Sequence, residues 1–404
     1  MASIVDRARA VFTNNYRQQP VAFVRGEGVY VFDEAGRRYL DLLGGVAVNG
    51  LGHCHPAVVA AIREQAARLL HVSNLYYNEP SVALSEKLVA LTEPVGLARV
   101  FLCNSGTEAN EAALKLAKRF QTMVRGEAER VEVVAATGSF HGRTVGSLSA
   151  TGQPKYHEGF GPLVPGVKFV PYGDLAAMQA AVDEKTAAVI LEPLQGESGV
   201  VVPPESYLRD VRFICSRRGA LLILDEVQTG CGRTGTFLAA EGFSVKPDIV
   251  TLAKGLGGGL PIGAMLATEE AAAGFVPGAH ASTFGGNPVT SAAALAAVCV
   301  ISSVETLANV RARGDEIRAA FKAFLAGAPG VINDVRGRGL LVGVELAHEK
   351  ADAVVAHLRD NAVLANAIHN RVVRLAPPYI ITREQSAEAV RAVIASIKAV
   401  GAAP

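Results

Sequence analysis

The stretch ARVFLCNSGTEANEAALKLAK, residues 98–118, decides the fold class of this chain. Its apolar run at 99–103 predicts a β-strand that ends abruptly at the turn Asn104-Ser105-Gly106-Thr107. From Thr107 to Lys118 the apolar residues recur with helical spacing, so the strand, the turn and a helix are expected to form one βα unit.

The same alternation of strand and helix patterns recurs through the middle of the chain. Further short apolar, β-branched runs lie at 131–135, 187–191, 220–224, 248–252 and 264–267. Runs of this kind, followed by polar or glycine-rich turns and Ala-rich helical patterns, are typical of parallel strands that are buried on both faces. The sequence therefore predicts an α/β fold with a mostly parallel central sheet.

The two ends of the chain have a different pattern. Before Gly50, residues 21–24, 29–33 and 38–41 resemble short antiparallel strands joined by turns. Beyond residue 305, helical patterns flank apolar runs at 340–345 and 372–376. We therefore predict a small α+β domain made of residues 1–55 and 305–404, and a large domain at 56–304.

Composition and charge exclude several classes of protein. The chain has 404 residues, of which 50% are hydrophobic and 19% charged, so it belongs with globular proteins and not with disordered ones. The 39 Lys and Arg residues are balanced by 38 Asp and Glu, and there is no basic run. This balance argues against nucleic acid or a membrane surface as the partner.

The lack of a secretory signal in the N-terminal residues and the cysteine usage predict a cytoplasmic protein. Residues 1–16 lack the apolar run and cleavage site of a secretory signal. The Ala-rich stretch at 289–304 is interrupted by Thr and Ser, which predicts a buried helix and not a membrane span. The five cysteines include no CxxC pair, so we expect reduced, mostly buried thiols.

Polar residues cluster directly after the predicted strands. Ligands of open parallel sheets bind beyond the carboxyl ends of the strands, so these positions are the candidate site. A phosphate, a planar cationic ring and an electrophilic aldehyde would together account for the types of residue found there. The candidate residues are Asn104 to Thr107, Phe140, His141, Glu192, Asp225 to Gln228, and Lys254.

Each of these residues also has an ordinary explanation when taken alone. Ser105-Gly106-Thr107 opens a helix, whose free amides can hold a phosphate, but a plain helix cap has the same composition. Asp225 could pair with a protonated ring nitrogen, bind a metal or cap the next helix. Lys254, before the glycine-rich run 255–259, could form a Schiff base or lie on the surface.

Histidines give weaker signals than the strand ends. His53 and His55 are two residues apart with no third ligand at a recognised spacing, which argues against a metal site. His141 follows a strand and could contact a ligand, although a lone histidine is more often structural.

Seven stretches, taken together, resemble the class III (ω-amino-acid) aminotransferases of pyridoxal-phosphate fold type I. The likeness covers nearly the whole chain, and the combination of Asp225, Gln228 and Lys254 at these spacings is specific for the cofactor class. The stretches are GVAVNGLGHCHP (45–56), FLCNSGTEAN (101–110), SFHGRTVGSLSATGQ (139–153), EPLQGESG (192–199), LDEVQTGCGRTG (224–235), TLAKGLGGG (251–259) and TFGGNP (283–288).

The resemblance implies a role for each matching residue around pyridoxal 5'-phosphate. Lys254 would hold the cofactor covalently and be the principal acid and base, and Asp225 would keep the ring nitrogen protonated. Gln228 would bind the 3' oxygen of the ring, with His141 nearby. Phe140 and Val227 would cover the two ring faces. Ser105, Gly106 and Thr107 would hold the phosphate, together with Thr283 of the neighbouring subunit, which implies a homodimer with a shared site.

For the substrates, the resemblance implies a ping-pong reaction that moves the ω-amino group of N2-acetyl-L-ornithine to 2-oxoglutarate, a step of arginine biosynthesis. Arg143 would bind the carboxylate distal to the reacting carbon, and Arg374 the α-carboxylate of glutamate. The ω-amine has no adjacent carboxylate, so Glu197 would pair with Arg374 during that half-reaction and release it in the other. Relatives that act on free ornithine carry a tyrosine near the position of Gly45, whose absence here favours an acylated donor.

Three alternatives stay open at the level of sequence. A related enzyme acting on succinylornithine, succinyl-diaminopimelate, ornithine, 4-aminobutyrate or carrier-bound lysine would share every motif. An amino-acid racemase or epimerase of the same fold would not need the Glu197 and Arg374 pair. A binding module without enzymatic activity would not need Lys254.

Overall fold

A seven-stranded sheet lies at the centre of the molecule and two four-stranded sheets lie outside it. These features come from a computed structural model, in which residues 3–402 are described. Residues 1, 2, 403 and 404, the outermost residues of the predicted small domain, lie outside the described residues.

The strands are numbered in chain order. They are β1 (Phe23–Glu27), β2 (Tyr30–Asp33), β3 (Arg38–Asp41), β4 (Arg99–Cys103), β5 (Glu132–Ala136), β6 (Val167–Val170), β7 (Thr186–Leu191), β8 (Leu221–Asp225), β9 (Ile249–Leu252), β10 (Gly263–Ala267), β11 (Ile332–Arg338), β12 (Leu341–Leu346), β13 (Val363–Leu364), β14 (Asn366–Ile368) and β15 (Val372–Leu375).

The helices follow the same numbering. They are α1 (Ile4–Val11), α2 (Gly44–Ala47), α3 (Pro56–Ala66), α4 (Glu79–Thr92), α5 (Gly106–Arg119), α6 (Val145–Ala150), α7 (Leu175–Ala181), α8 (Tyr207–Arg218), α9 (Ala239–Gly242), α10 (Glu269–Ala272), α11 (Pro288–Ile301), α12 (Val304–Gly327), α13 (Ala351–Asp360) and α14 (Arg383–Ala402). Short 3₁₀ turns occur at Glu93–Val95, Pro154–Tyr156 and Lys254–Gly257, and a π turn at Phe120–Val124.

The central sheet has the strand order β4-β10-β9-β8-β7-β5-β6. Strands β5 to β9 pair in parallel, whereas β10 is antiparallel to both of its neighbours. The parallel orientation expected for the run at 264–267 is therefore wrong. The link from β9 to β10 contains a 3₁₀ turn and no crossover helix, so the chain returns in the opposite direction.

The core explains why this sheet forms. Every residue of β7, β8, β9 and β10 is buried, as expected for strands covered on both faces. Their apolar side chains divide between two hydrophobic clusters, one on each side of the sheet. Polar residues that lie within these strands, such as Thr251 and Asp225, are consequently buried and need internal partners.

Sequence patterns predicted the other central strands to within a residue or two, except for β6. This strand, VKFV, carries Lys168 and lies at the sheet edge, where its burial is incomplete. The Lys168 ammonium binds the carboxylates of Glu132 and Asp183 at 2.5 and 2.7 Å. An edge strand with a charged residue lacks the continuous apolar run that revealed the others.

The two ends of the chain meet in one sheet, with the order β1-β2-β3-β13. Strand β13 pairs in parallel with β3, where the Leu40 and Leu42 amides donate to the carbonyls of Ala362 and Leu364, each at 2.9 Å. The third sheet, β11-β12-β15-β14, is antiparallel and comes from the C-terminal segment alone. The α/β fold class with a smaller second unit is confirmed, whereas the boundaries at 56 and 304 stay a prediction.

The predicted buried helix at 289–304 is α11, whose Ala293, Ala294 and Ala297 are fully buried. Within residues 3–402, no single helix has the length and apolar composition of a membrane span, although α11 and α12, bent by 66°, pass that test as a pair.

Candidate active site

The Ser105-Gly106-Thr107 turn forms the N-terminus of α5. The Ser105 hydroxyl accepts a hydrogen bond from the Glu108 amide at 3.3 Å, which leaves the first amides of the helix directed outward. A Cβ atom on Gly106 would lie only 2.7 Å from Val227 Cγ1, so this position requires glycine. The turn therefore offers an anion free amides and the positive end of a helix dipole.

Asp225 is the last residue of β8 and is buried among polar partners. Its Oδ2 accepts hydrogen bonds from Asn110 Nδ2 and His141 Nδ1, both at 2.7 Å, and Oδ1 accepts one from the Val227 amide at 3.0 Å. Burial alone would raise the pKa of Asp225, but the hydrogen bond and the charge of His141 outweigh it and hold the pKa below its ordinary value. Asp225 is thus kept as a carboxylate.

Asn110 is a site residue that sequence reasoning missed. Besides contacting Asp225, its Nδ2 donates to the His141 carbonyl at 2.7 Å, and its Oδ1 accepts from the Thr251 hydroxyl at 2.7 Å. The amide therefore joins α5, β8 and β9. Its position one turn after Gly106, inside the motif FLCNSGTEAN, is the signal that could have revealed it.

Lys254 begins the 3₁₀ turn after β9, with a left-handed backbone at φ 42°. Among residues 3–402, its amine has no hydrogen bond or ion pair. Burial lowers the pKa of Lys254, while Glu197 raises it and Arg374 lowers it. An amine with a lowered pKa is more often neutral, and a neutral amine can attack a carbonyl carbon.

One cavity of about 480 Å³ brings these groups together. Thirteen of the candidate residues from the sequence analysis line it: Asn104, Ser105, Gly106, Thr107, Phe140, His141, Arg143, Glu192, Glu197, Asp225, Val227, Gln228 and Lys254. Residues that sequence reasoning missed also line it: Val48, Asn110 and residues 259–262. An anion-binding turn, a buried carboxylate and an unpaired lysine in one cavity of this size fit a phosphorylated, cationic aldehyde. His141 Nε2, buried without a partner in the described part of the chain, is a further free polar group.

Arg374 is buried on β15 and forms an ion pair with the half-buried Glu197 next to the cavity. Arg374 Nη1 lies 2.5 Å from Glu197 Oε1 and also donates to the Gly196 carbonyl at 3.2 Å. Its Nε donates to Asn366 Oδ1 at 3.0 Å. Burial would raise the pKa of Glu197, but the Arg374 and Lys254 charges lower it to about 2, so the pair is ionised at neutral pH.

Gln228 contacts this ion pair. Its Nε2 donates to Glu197 Oε1 at 3.0 Å and its Oε1 accepts from Arg374 Nη1 at 3.3 Å. Gln228 thus connects the residues predicted for the substrate with those predicted for the cofactor.

Glu192 connects two loops of the cavity wall. Its Oε1 accepts from the Phe140 amide at 2.9 Å, and its Oε2 from the Gly196 amide at 3.2 Å. Burial raises the pKa of Glu192 to about 7.

Of the residues named for this site in the sequence analysis, Glu226, Arg374, Thr283 and Gly45 do not line the site cavity. Thr283 is exposed and lines a separate small pocket with His71 and Asn74, so within one chain it does not reach the site cavity. Gly45, with φ 62°, lines another cavity, and Val48 faces the site instead. The inference drawn from Gly45 therefore rests on a position that does not line the site cavity in this chain.

The paired histidines at 53 and 55 do not form a ligand cluster. His53 Nε2 bonds Asp41 Oδ2 at 2.8 Å, and Cys54 between them has φ 53°. Within residues 3–402, no three His, Cys, Asp or Glu side chains are grouped as metal ligands would be.

The known proteins that this chain resembles in sequence are aminotransferases. Residues 11–397 match the sequence model of the family described as aminotransferase class-III. An acetylornithine aminotransferase of Mycobacterium tuberculosis is 53% identical over 384 residues, which is 95% of this chain and 93% of the relative. These findings confirm the resemblance expected from the sequence motifs.

Solved structures of aminotransferases are also similar to this chain. The crystal structure of an ornithine aminotransferase from Toxoplasma gondii superimposes with a TM-score of 0.94 at 35% identity, covering 98% of this chain and 94% of the other. A second structure of that enzyme has pyridoxal phosphate at partial occupancy in the active site. An N-acetylornithine aminotransferase from Stenotrophomonas maltophilia has a TM-score of 0.86 at 36% identity, covering 99% and 100%.

Proposed function

Because this chain belongs to the class-III aminotransferases, which are pyridoxal-phosphate enzymes, we propose that it transfers the ω-amino group of N2-acetyl-L-ornithine to 2-oxoglutarate. The products are N-acetylglutamate semialdehyde and glutamate, formed by a ping-pong reaction in which both substrates use one site in turn. The reaction belongs to arginine biosynthesis. The donor named for relatives of 45 to 53% identity supports this choice.

One observation carries the proposal: the buried Arg374 guanidinium is paired with the Glu197 carboxylate, 2.5 Å away. A buried arginine without a charged partner costs free energy. If Arg374 could pair only with an α-carboxylate, it would be left unpaired whenever a substrate without that group was bound. The paired state suits the ω-amine, which has no carboxylate beside the reacting carbon. The opened pair suits glutamate.

The cofactor supplies an electrophilic carbon and a ring that accepts electrons from the reacting carbon. The amides of Ser105, Gly106 and Thr107 hold its phosphate, and the Asp225 carboxylate keeps its ring nitrogen protonated. Asn110 and His141 hold that carboxylate in place at 2.7 Å. Phe140, Val227 and Gln228 complete the site around the ring, with Gln228 at its 3' oxygen.

Lys254 moves the proton in both half-reactions. Its unpaired amine, with a lowered pKa, takes a proton from the reacting carbon of the donor and returns one to the reacting carbon of the acceptor. The Arg143 guanidinium, at the cavity wall, binds the carboxylate at the far end of either substrate.

The assembly and the compartment are part of the same proposal. Thr283 is exposed in one chain, and the exposed Leu75, Tyr76 and Tyr77 lie on a segment close to it in the fold. A homodimer in which the partner's Thr283 completes the phosphate site would cover this apolar surface. We place the dimer in the cytoplasm, in agreement with the unpaired cysteines.

Steady-state rates with a panel of amino donors test this function directly. The panel contains N-acetylornithine, succinylornithine, succinyl-diaminopimelate, ornithine and 4-aminobutyrate, each with 2-oxoglutarate as acceptor. We expect the highest kcat/KM with N-acetylornithine. A higher value for ornithine or 4-aminobutyrate would replace the proposed donor, and racemisation of an amino acid without an acceptor would replace the reaction class.

A further inference from the structure

Arg143 is held differently from the other arginine proposed to bind substrate. Arg374 has polar acceptors at Glu197, Gly196 and Asn366. Within the described part of the chain, the Arg143 guanidinium has no hydrogen bond or ion pair. Its contacts are aromatic: its central carbon lies 3.9 Å from the centroid of the Tyr156 ring and 5.5 Å from that of Phe140.

A guanidinium stacked on an aromatic ring keeps its N–H donors free, because they lie in its plane and point away from the ring face. A side chain held by carboxylates or carbonyls would have those donors occupied. Stacking on Tyr156 therefore restricts the flexible Arg143 side chain without using any of the groups that must bind a substrate carboxylate. Binding then costs less conformational entropy.

The Tyr156 ring is itself held firmly. It meets the Phe140 ring edge to face, with centroids 5.7 Å apart and planes at 79°. Tyr156 ends the 3₁₀ turn Pro154–Tyr156, and residues on both sides of that turn are anchored. Gln153 Nε2 donates to the carbonyls of Gly138 and Ser139 at 3.1 and 3.2 Å, and His157 Nε2 donates to that of Thr151 at 2.7 Å.

These contacts connect Tyr156 to the cofactor side of the cavity. Gln153 ties the turn to the loop that carries Phe140, and Phe140 lines the cavity next to the candidate ring site. The position of Arg143 is thus set, through Tyr156, relative to the reacting centre. Lys155 Nζ, 4.8 Å from the Tyr156 ring centroid, adds a second positive charge near the same ring.

We propose that Tyr156 is a positioning residue that orients Arg143 and thereby determines the preference for substrates with a second, distal carboxylate. The proposal deepens the proposed function and rests on it, since it assigns the selectivity of that site. Without the ring, Arg143 would sample other rotamers. The site would then lose its preference for substrates with a distal carboxylate more than it would lose activity in general.

The test compares two acceptors that differ by the distal carboxylate. 2-Oxoglutarate carries a distal carboxylate, whereas 2-oxobutyrate lacks one. Single-turnover rates are measured from holoenzyme that has already received an amino group, so the result does not depend on the identity of the donor. The variants are Tyr156→Leu, Tyr156→Gln as a second removal of the ring, Tyr156→Phe as the conservative change, and Tyr16→Leu as a matched control at an exposed tyrosine.

We expect Tyr156→Leu and Tyr156→Gln to lower the second-order rate constant of the single turnover with 2-oxoglutarate by about 3- to 30-fold, the range of a lost cation–π contact, with a much smaller loss for 2-oxobutyrate. Tyr156→Phe, which keeps the ring face, should restore the ratio of the two acceptors, and Tyr16→Leu should not change it. Equal losses for both acceptors would overturn the proposal, and so would a Tyr156→Phe variant as poor as Tyr156→Leu. Failure of the donor panel alone, with the acceptor ratio changed as predicted, would instead overturn the proposed donor.

Discussion

At the scale of single residues, Glu197 has the most specific task. It is the carboxylate that pairs with Arg374 at 2.5 Å, and it also accepts a hydrogen bond from Gln228. Its pKa of about 2 keeps it charged throughout the physiological range. Any change in this pair must therefore come from the substrate and not from pH.

Glu197→Ala separates the two half-reactions. Arg374 would then lack a partner when N-acetylornithine is bound, but would remain free for glutamate, so the first half-reaction should weaken while the second is kept or improved. Arg374→Ala should do the reverse and weaken mainly the 2-oxoglutarate half, by roughly 2–5 kcal/mol. Single-turnover measurements of each half-reaction give the answer.

Asn366→Ala is the control variant, because it removes one hydrogen-bond acceptor of Arg374 and leaves the ion pair with Glu197.

Equal losses in both half-reactions for Glu197→Ala would mean that Glu197 is a structural or general cofactor-site residue. The proposal that the ion pair opens and closes with the substrate would then have to be abandoned.

At the scale of elements, the N-terminus of α5 depends on close packing against the loop after β8. A methyl group on Gly106 would lie 2.7 Å from Val227 Cγ1, so Gly106→Ala should push this turn out of place. We expect weaker retention of the cofactor with the fold intact, measured as cofactor absorbance after dialysis and as far-UV circular dichroism. Gly327→Ala is the control, since a Cβ there meets no atom within 4 Å and its backbone is not left-handed. Unchanged cofactor retention in Gly106→Ala would remove this turn from the phosphate site.

The cap of helix α9 predicts a pH dependence of stability. Glu226 is buried and accepts hydrogen bonds from the amides of Ala239 and Ala240 at 2.7 and 2.8 Å. Burial raises its pKa to about 7, above the ordinary 4.5 of the unfolded chain. Between these two pH values Glu226 is protonated in the folded protein but ionised in the unfolded chain. The stability that this bound proton contributes is therefore lost as pH rises from about 4.5 to about 7.

Thermal unfolding between pH 5 and pH 8 tests this contribution. The Tm of the wild type minus that of Glu226→Gln should fall as pH rises, because the wild type loses this contribution and the variant has no group to titrate. Glu305→Gln, at an exposed helix start, should give a curve parallel to the wild type. A Glu226→Gln curve that also ran parallel would show that Glu226 does not titrate in this range.

Sequence patterns located the site residues that directly follow apolar strands. They missed features that depend on how distant parts of the chain pack together. Asp225 and Lys254 were found because each directly follows an apolar run, and parallel strands bring such positions together. Asn110 lies inside a helix, where only tertiary packing shows which polar residue faces Asp225. The direction of β10 depends on the absence of a crossover helix before it, which a strand pattern does not reveal.

At the scale of the whole molecule, the proposed dimer makes each active site depend on two chains. Lys254→Ala removes the acid and base, and Thr283→Asp places a charge against the phosphate of the partner's site. Mixed dimers of these two inactive variants should regain activity. The protomer that carries Thr283→Asp keeps its own Lys254, and receives an intact threonine from its partner.

Refolding the two variants together and measuring transamination checks this complementation. Each variant refolded alone is the control. If Thr283 acted within its own chain, no mixed dimer would contain a complete site, and the mixture would stay as inactive as its parents.

The central claim is that Lys254 holds the cofactor, and borohydride reduction followed by peptide mass spectrometry tests it most directly. The account predicts that the reduced holoenzyme carries the mass of the pyridoxyl phosphate group on the peptide containing Lys254, at about one per chain, with none on a Lys254→Ala protein treated in the same way. Finding the cofactor on another lysine, or on none, in an enzyme that still transaminates would contradict the account.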